Sequence, residues 1–174
     1  MRLILFGAAV LSLSVSSVHA APVDHELFLD VTCAKESRSE NIPAFAVGDG
    51  GNSRGECQIS LGTARMVIPL GVETGIVPRY MIAVANDDDA LKAMLHVPKI
   101  GRGIGTAFLI WMEKRGIVTV ARLAYAWNGG PHSQFSAKPD ALAFAVEVSR
   151  AYREARKARA MRNGKVQQLT MVKR

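Results

Sequence analysis

Little in this chain is aromatic and almost none of it is cysteine: Phe, Trp and Tyr make up 6% of 174 residues, and cysteine occurs twice. So few stacking side chains, with no recognisable binding motif, argue against nucleic acid as the partner of a basic chain. No pair of histidines has ligand spacing, and Cys33 and Cys57 stand far apart in sequence, so no zinc site is expected. Gly101, Gly103 and Gly105 lack the preceding strand and the spacing of a dinucleotide fingerprint, and no other motif calls for a cofactor or a metal. Internal repeats, an interdomain linker and low-complexity blocks are missing as well. After the first twenty residues no apolar run reaches the roughly 18 to 20 residues that a spanning helix needs, so no integral membrane segment is expected there.

What is present starts with a leader. Arg2 is followed by an apolar run from Leu3 to about Val15, then serines, then Val18-His19-Ala20, which reads as a secretory signal (1–20) cut after Ala20. The protein is therefore expected to be exported, to the periplasm or to the extracellular side and cell wall. Residues 21–160 suit one domain, since 49% hydrophobic residues can bury a core. An oxidising compartment permits Cys33 and Cys57 to join, the alternative being two buried free thiols. A bond would enclose about 23 residues, worth roughly 3 kcal/mol in chain entropy, and would staple the helix carrying Glu36 to the glycine-rich segment after it.

The net charge of +7 is concentrated late, in Arg150, Arg153, Arg156, Lys157, Arg159, Arg162, Lys165, Lys173 and Arg174. For an exported chain the natural polyanions are the cell wall, its attached polymers and the outer faces of membranes. Residues 161–174 are expected to be a basic, disordered tail.

Periodicity predicts a mainly helical domain. Leu27, Val31 and Ala34 form one helical stripe, with Leu29, Cys33 and Glu36 beside it. Asn41 to Gly55 reads as loop and Gln58-Ile59-Ser60 as a short strand. A helix over Leu61 to Leu70 should stop at Gly71. Gly71 to Arg79 should be irregular, while Tyr80 to Ala85 is undecided. Asp87, Asp88 and Asp89 suit the positive end of a helix carrying Leu91, Met94 and Leu95. A central buried helix follows from about Pro98 to Arg115, and another runs from Ile117 to Trp127. The turn Asn128-Gly129-Gly130-Pro131 then leads to a last helix from near Pro139, with Phe144, Val148 and Tyr152 on one face and order ending at about Arg159.

The order Glu36-Ser37, then Gly55-x-x-Gln58-Ile59, then a hydrophobic helix, then Asn128-x-Gly130-Pro131 resembles the soluble-type lytic transglycosylases and the related goose-type lysozymes. Their pattern is Glu-Ser, then Gly-Leu-Met-Gln, then Tyr-Asn-Ala-Gly-Pro, and the resemblance runs from about Leu27 to Tyr152. It implies a lysozyme-like α+β domain, mainly α, with a short strand and loop segment after the catalytic helix. It also implies cleavage of the β-1,4 bond between N-acetylmuramic acid and N-acetylglucosamine, with no cofactor. Glu36 would be general acid and then base, Ser37 would lie near the cleavage subsite, Gly55 and Gln58 would shape the groove, and Asn128 would contact sugar. Glu56-Cys57 replaces Leu-Met, and Trp127 stands where those families place a tyrosine that bonds the catalytic acid. Trp127 can stack on a sugar or pack in the core, while Tyr125 is expected to point elsewhere.

One acid suffices in the chemistry so implied. An apolar pocket can hold a carboxyl protonated up to a pKa of about 6, ready to protonate the glycosidic oxygen. The sugar's own C6 hydroxyl then closes an anhydro ring, unlike the two-carboxylate scheme. A rival hydrolytic reading makes Asp49 a water-activating base about 6.5 to 9.5 Å from Glu36, although Asp before Gly-Gly is also ordinary turn chemistry. A third reading is a non-catalytic wall-binding or secretion-assembly protein. Peptidoglycan glycan strands are the expected partner, with a secretion or envelope-spanning complex as a further candidate.

Overall fold

The first helix begins where the Asp24 carboxylate can accept a hydrogen bond from the Leu27 amide, at 3.0 Å, satisfying one of the amides that a helix start leaves open. In the computed structural model, which describes residues 22–37, 43–130 and 138–171, this helix, α1, spans His25–Glu36 and buries Leu27, Phe28, Leu29, Thr32 and Cys33. Its Leu29 and Cys33 stripe faces inward, whereas Ala34 is exposed. The expected signal segment 1–20 lies outside the described residues.

Three two-residue strands follow, β1 (Val47–Gly48), β2 (Ser53–Arg54) and β3 (Ile59–Ser60), antiparallel in the order β1-β2-β3. Val47 faces Arg54, and Ser53 faces Ser60. The strand near Gln58 was expected, but β1 and β2 form inside the stretch read as loop. Two residues are too few for alternation to register.

Helix α2 (Leu61–Glu73) starts on Ser60, whose hydroxyl accepts from the Thr63 amide at 3.1 Å. Gly71 does not stop it. This glycine is buried within the helix, and a Cβ there would lie 2.5 Å from Val77 Cγ2 and 3.1 Å from the Ala107 Cβ. The undecided stretch after Pro78 contains the short α3 (Met81–Val84). In α4 (Asp88–Leu95) the Asp87 carboxylate accepts from the Asp89 and Ala90 amides at 2.9 and 3.0 Å.

Helix α5 (Pro98–Glu113) is the central element, with Ile104, Ala107, Leu109 and Met112 wholly buried. Helix α6 (Val120–Gly129) begins after the expected Ile117, because Thr119 caps it through the Arg122 amide at 3.4 Å. Helix α7 spans Pro139–Met171 and buries Phe144, Val148 and Tyr152, as expected. It continues past Arg159, where order was expected to end, and through most of the supposed disordered tail. Contacts with the start of α1 anchor it as far as Arg159: the Tyr152 hydroxyl accepts from the Asp24 amide at 2.9 Å, and Arg159 pairs with Asp24 at 3.0 Å and Glu26 at 3.5 Å.

The architecture is thus mainly helical, seven α-helices and a small sheet among the described residues, as the periodicity predicted. No described helix is long and apolar enough to cross a membrane. Cys33 and Cys57 are joined, with an S–S distance of 1.99 Å, a bond characteristic of oxidising compartments. Arg102 of α5 braces the same corner, reaching Asp30 of α1 and, at 3.3 Å, Glu56. Burial works against the Arg102 charge, but hydrogen bonds to the two carboxylates more than offset it and raise the pKa above the ordinary arginine value.

The bridge closes a separation of 24 residues. Replacing both cysteines by serine should therefore cost roughly 3 kcal/mol. A thermal melt followed by circular dichroism should show a midpoint about 6–12 °C lower, and an unchanged midpoint would deny the bond its stabilising role.

Candidate active site

Glu36 is the last residue of α1, so the way that helix ends fixes where its carboxylate can go. The Ser37 amide and the Ser37 hydroxyl both donate to the Cys33 carbonyl, at 3.0 and 2.8 Å. Cys33 is in turn bonded to Cys57, one residue before Gln58. The acid and the carboxamide are therefore held by the same covalent corner.

A cleft of about 490 Å³ opens there, within the size range of small-ligand sites. Its lining comes from Glu36 of α1, Gly48 of β1, Gln58 and Ser60 around β3, Thr63 of α2, Phe108 of α5, and Trp127 and Asn128 at the end of α6. Among the described residues that line it, Glu36 carries the single titratable side chain and is half-buried. The rest of the described polar lining is uncharged.

Gln58 has a φ of 47°, the one positive value at a non-glycine among the described residues. Such a conformation costs of order 1–3 kcal/mol and persists only when the surroundings impose it. Here the Gly55 carbonyl accepts from both the Gln58 amide, at 3.0 Å, and Gln58 Nε2, at 2.9 Å. The other end of the carboxamide, Oε1, occupies the space where a side chain on residue 48 would stand.

Trp127 is half-buried, with its ring centroid 5.5 Å from that of Phe108 and 6.1 Å from that of Phe28. Packing and cleft lining are therefore combined in one residue. Tyr125 does point elsewhere, its hydroxyl accepting from the Lys138 amide at 3.0 Å, between α6 and α7. Asn128 is exposed on the last turn of α6, which ends at Gly130.

Of the residues named from sequence, Glu36, Gln58, Trp127 and Asn128 meet in this cleft. Ser37 and Gly55 do not line it. Ser37 is buried and its hydroxyl caps α1, so it positions the helix end. Gly55 turns the chain between β2 and β3 with a φ of 74°, against the Leu95 carbonyl. The Asp49 side chain lies outside what is described, as does Pro131. Ser60, Thr63, Phe108 and Gly48 went unrecognised, although Ser60-x-x-Thr63 is a helix-cap pattern that marks a rigid pair of hydroxyls, 3.0 Å apart. Cys33, Glu56 and Cys57 bring three ligand-type atoms within 4.8 Å of one another, but the disulfide removes the thiolates a metal would need.

Comparison of the chain with protein-family models, curated proteins and solved structures gives no match.

Two alanine substitutions should separate positioning from folding. At residue 48 an added Cβ would come within 2.2 Å of Gln58 Oε1, the movable end of a side chain; at residue 55 it would come within 2.2 Å of the Leu95 carbonyl, which is fixed backbone. Gly48→Ala is expected to change stability by less than about 1 kcal/mol while shifting the Gln58 side-chain amide resonances in a ¹⁵N spectrum. Gly55→Ala, with positive φ as well, should lose about 2 kcal/mol or more. Equal losses in denaturant titrations would contradict this assignment.

Proposed function

We propose that the protein is an exported peptidoglycan lytic transglycosylase, acting in the periplasm or cell wall on the β-1,4 bond between N-acetylmuramic acid and N-acetylglucosamine. The observation that carries this reading is the convergence, in one cleft, of an acid at a helix end, the one titratable group among the described lining, with Gln58 and Asn128, residues distant in sequence. Apart from Glu36 the described polar lining is uncharged, and together with Phe108 and Trp127 it suits a sugar polymer better than a charged metabolite. Gln58, Ser60, Thr63 and Asn128 offer donors and acceptors for hydroxyl and acetamido groups.

In this mechanism the Glu36 carboxyl donates its proton to the glycosidic oxygen as the bond from the anomeric carbon breaks. The substrate's 2-acetamido group stabilises the positive charge left behind. The Glu36 carboxylate then takes the proton of the C6 hydroxyl, whose oxygen bonds to the anomeric carbon and closes the 1,6-anhydro ring. Glu36 ends protonated, and no water is consumed. Because the nucleophile belongs to the substrate, the scheme needs no second enzymic carboxylate.

Mass spectrometry of peptidoglycan digests tests the reading. Wild type should release anhydro ends, one water lighter than hydrolytic ends. Glu36→Gln should lower the rate about 10²–10⁴-fold with an unchanged melt, and Gly48→Ala should lower it by up to about 10²-fold through misplacement of Gln58. Hydrated ends as the main product, or full activity in Glu36→Gln, would overturn the proposal.

A further inference from the structure

The wall of the cleft that runs from Gln58 to Thr63 has a fixed hydrogen-bond polarity. The Gly55 carbonyl can only accept, so the nitrogen end of the Gln58 carboxamide is the end that faces it, at 2.9 Å. The oxygen end is thereby turned toward Gly48, which lines the same cleft. Gln58 Oε1 accepts no hydrogen bond among the described residues, and it is not an atom sealed from solvent. It is an acceptor held ready.

Ser60 and Thr63 present the opposite polarity. The Ser60 hydroxyl accepts from the Thr63 amide at 3.1 Å and donates to Thr63 Oγ1 at 3.0 Å. Two hydroxyls hold two protons, and the bond between them uses one. The remaining proton, on Thr63, has no acceptor among the described residues, and both side chains line the cleft. Because the bonds from amide to Ser60 to Thr63 run head to tail, each polarises the next and makes Thr63 Oγ1 a stronger donor.

An unmet acceptor and an unmet donor on one short wall complement a group that carries one of each in fixed orientation. A secondary amide is such a group, its N–H matching Gln58 and its carbonyl matching Thr63. A carboxylate has no proton for Gln58 Oε1, and an ammonium has no lone pair for Thr63. A sugar hydroxyl rotates to suit either partner, so it draws no advantage from a wall of fixed polarity.

We propose that Gln58 and the Ser60–Thr63 hydroxyl pair form a subsite for the acetamido group of a β-1,4-linked sugar, Gln58 Oε1 accepting its N–H and Thr63 Oγ1 donating to its carbonyl. The sugar held in this way is a neighbour of the one that is cleaved, whose own acetamido oxygen must stay free for the anomeric carbon. The inference rests on the reading of the cleft as a glycan site, and makes Thr63 the residue that selects N-acetylated strands over strands with a hydroxyl at C2. Ser60 touches Thr63 through both its bonds and acts as a positioning residue.

The test is calorimetric titration of the full chain, carrying Glu36→Gln so that no bond is cut, with β-1,4-linked tetramers of N-acetylglucosamine and of glucose, which differ only at C2. The acetylated tetramer should bind about 5- to 100-fold tighter, the worth of two hydrogen bonds. Adding Thr63→Val should narrow that ratio about three- to tenfold, while Thr63→Ser should keep it within about twofold. Both should melt like the parent, because the Thr63 amide still bonds to Ser60. A ratio untouched by Thr63→Val, or equal binding of the two tetramers by the parent, overturns the subsite and leaves the cleft a glycan site. Failure of both tetramers to bind would instead remove the glycan reading, and this subsite with it.

Discussion

Because Cys33 sits one turn before Glu36 on α1 and Cys57 sits one residue before Gln58, a single covalent bond couples the acid to the carboxamide across 24 residues of chain. The three two-residue strands between them could not do this alone. So short a sheet has few ladder hydrogen bonds and would be marginal as an isolated unit. The bond therefore turns a weak sheet into a wall at fixed distance from the helix end, with Arg102 bracing the outside through Asp30 and Glu56. The positive φ of Gln58 is intelligible in this frame: the strain sits beside the bond that can sustain it.

Trp127 settles how the opposite side of the site is built. Its ring packs against Phe28 and Phe108 while its exposed part reaches the cleft, so the aromatic core and the floor of the site are continuous. An indole donates one hydrogen bond and accepts none, so Trp127 cannot reproduce a hydroxyl that both donates and accepts. The Ser37 cap and the disulfide fix the helix end from which the Glu36 side chain leaves.

Much of this was legible in the sequence, and what was not has physical reasons. α1, α4, α5 and α7 have acidic or proline starts, and they begin close to where the pattern put them, although α7 runs past its expected end. β1 and β2 are too short to show a period. Gly71 reads as a stop because most such glycines are stops, and its actual role, letting Val77 and Ala107 close on the helix, depends on residues the local pattern does not contain. Within the site, Glu36, Gln58, Trp127 and Asn128 could be named from their order along the chain. Ser37 and Gly55 shared that order, yet three-dimensional neighbours gave them structural tasks: the Cys33 carbonyl for one and the Leu95 carbonyl for the other.

Charge is distributed unevenly between the cleft and the last helix. The cleft has one ionisable group among its described lining, whereas the chain as a whole carries +7 and α7 has no acidic residue from Arg156 to Lys165. At physiological salt a charge is felt over about 8 Å, so the cations along α7 act chiefly on what lies close to that helix. Had those cations lined the cleft, they would have stabilised the carboxylate and stripped it of the proton that the proposed reaction requires. A cleft whose described lining carries Glu36 as its one charged group is thus compatible with the single-acid mechanism proposed.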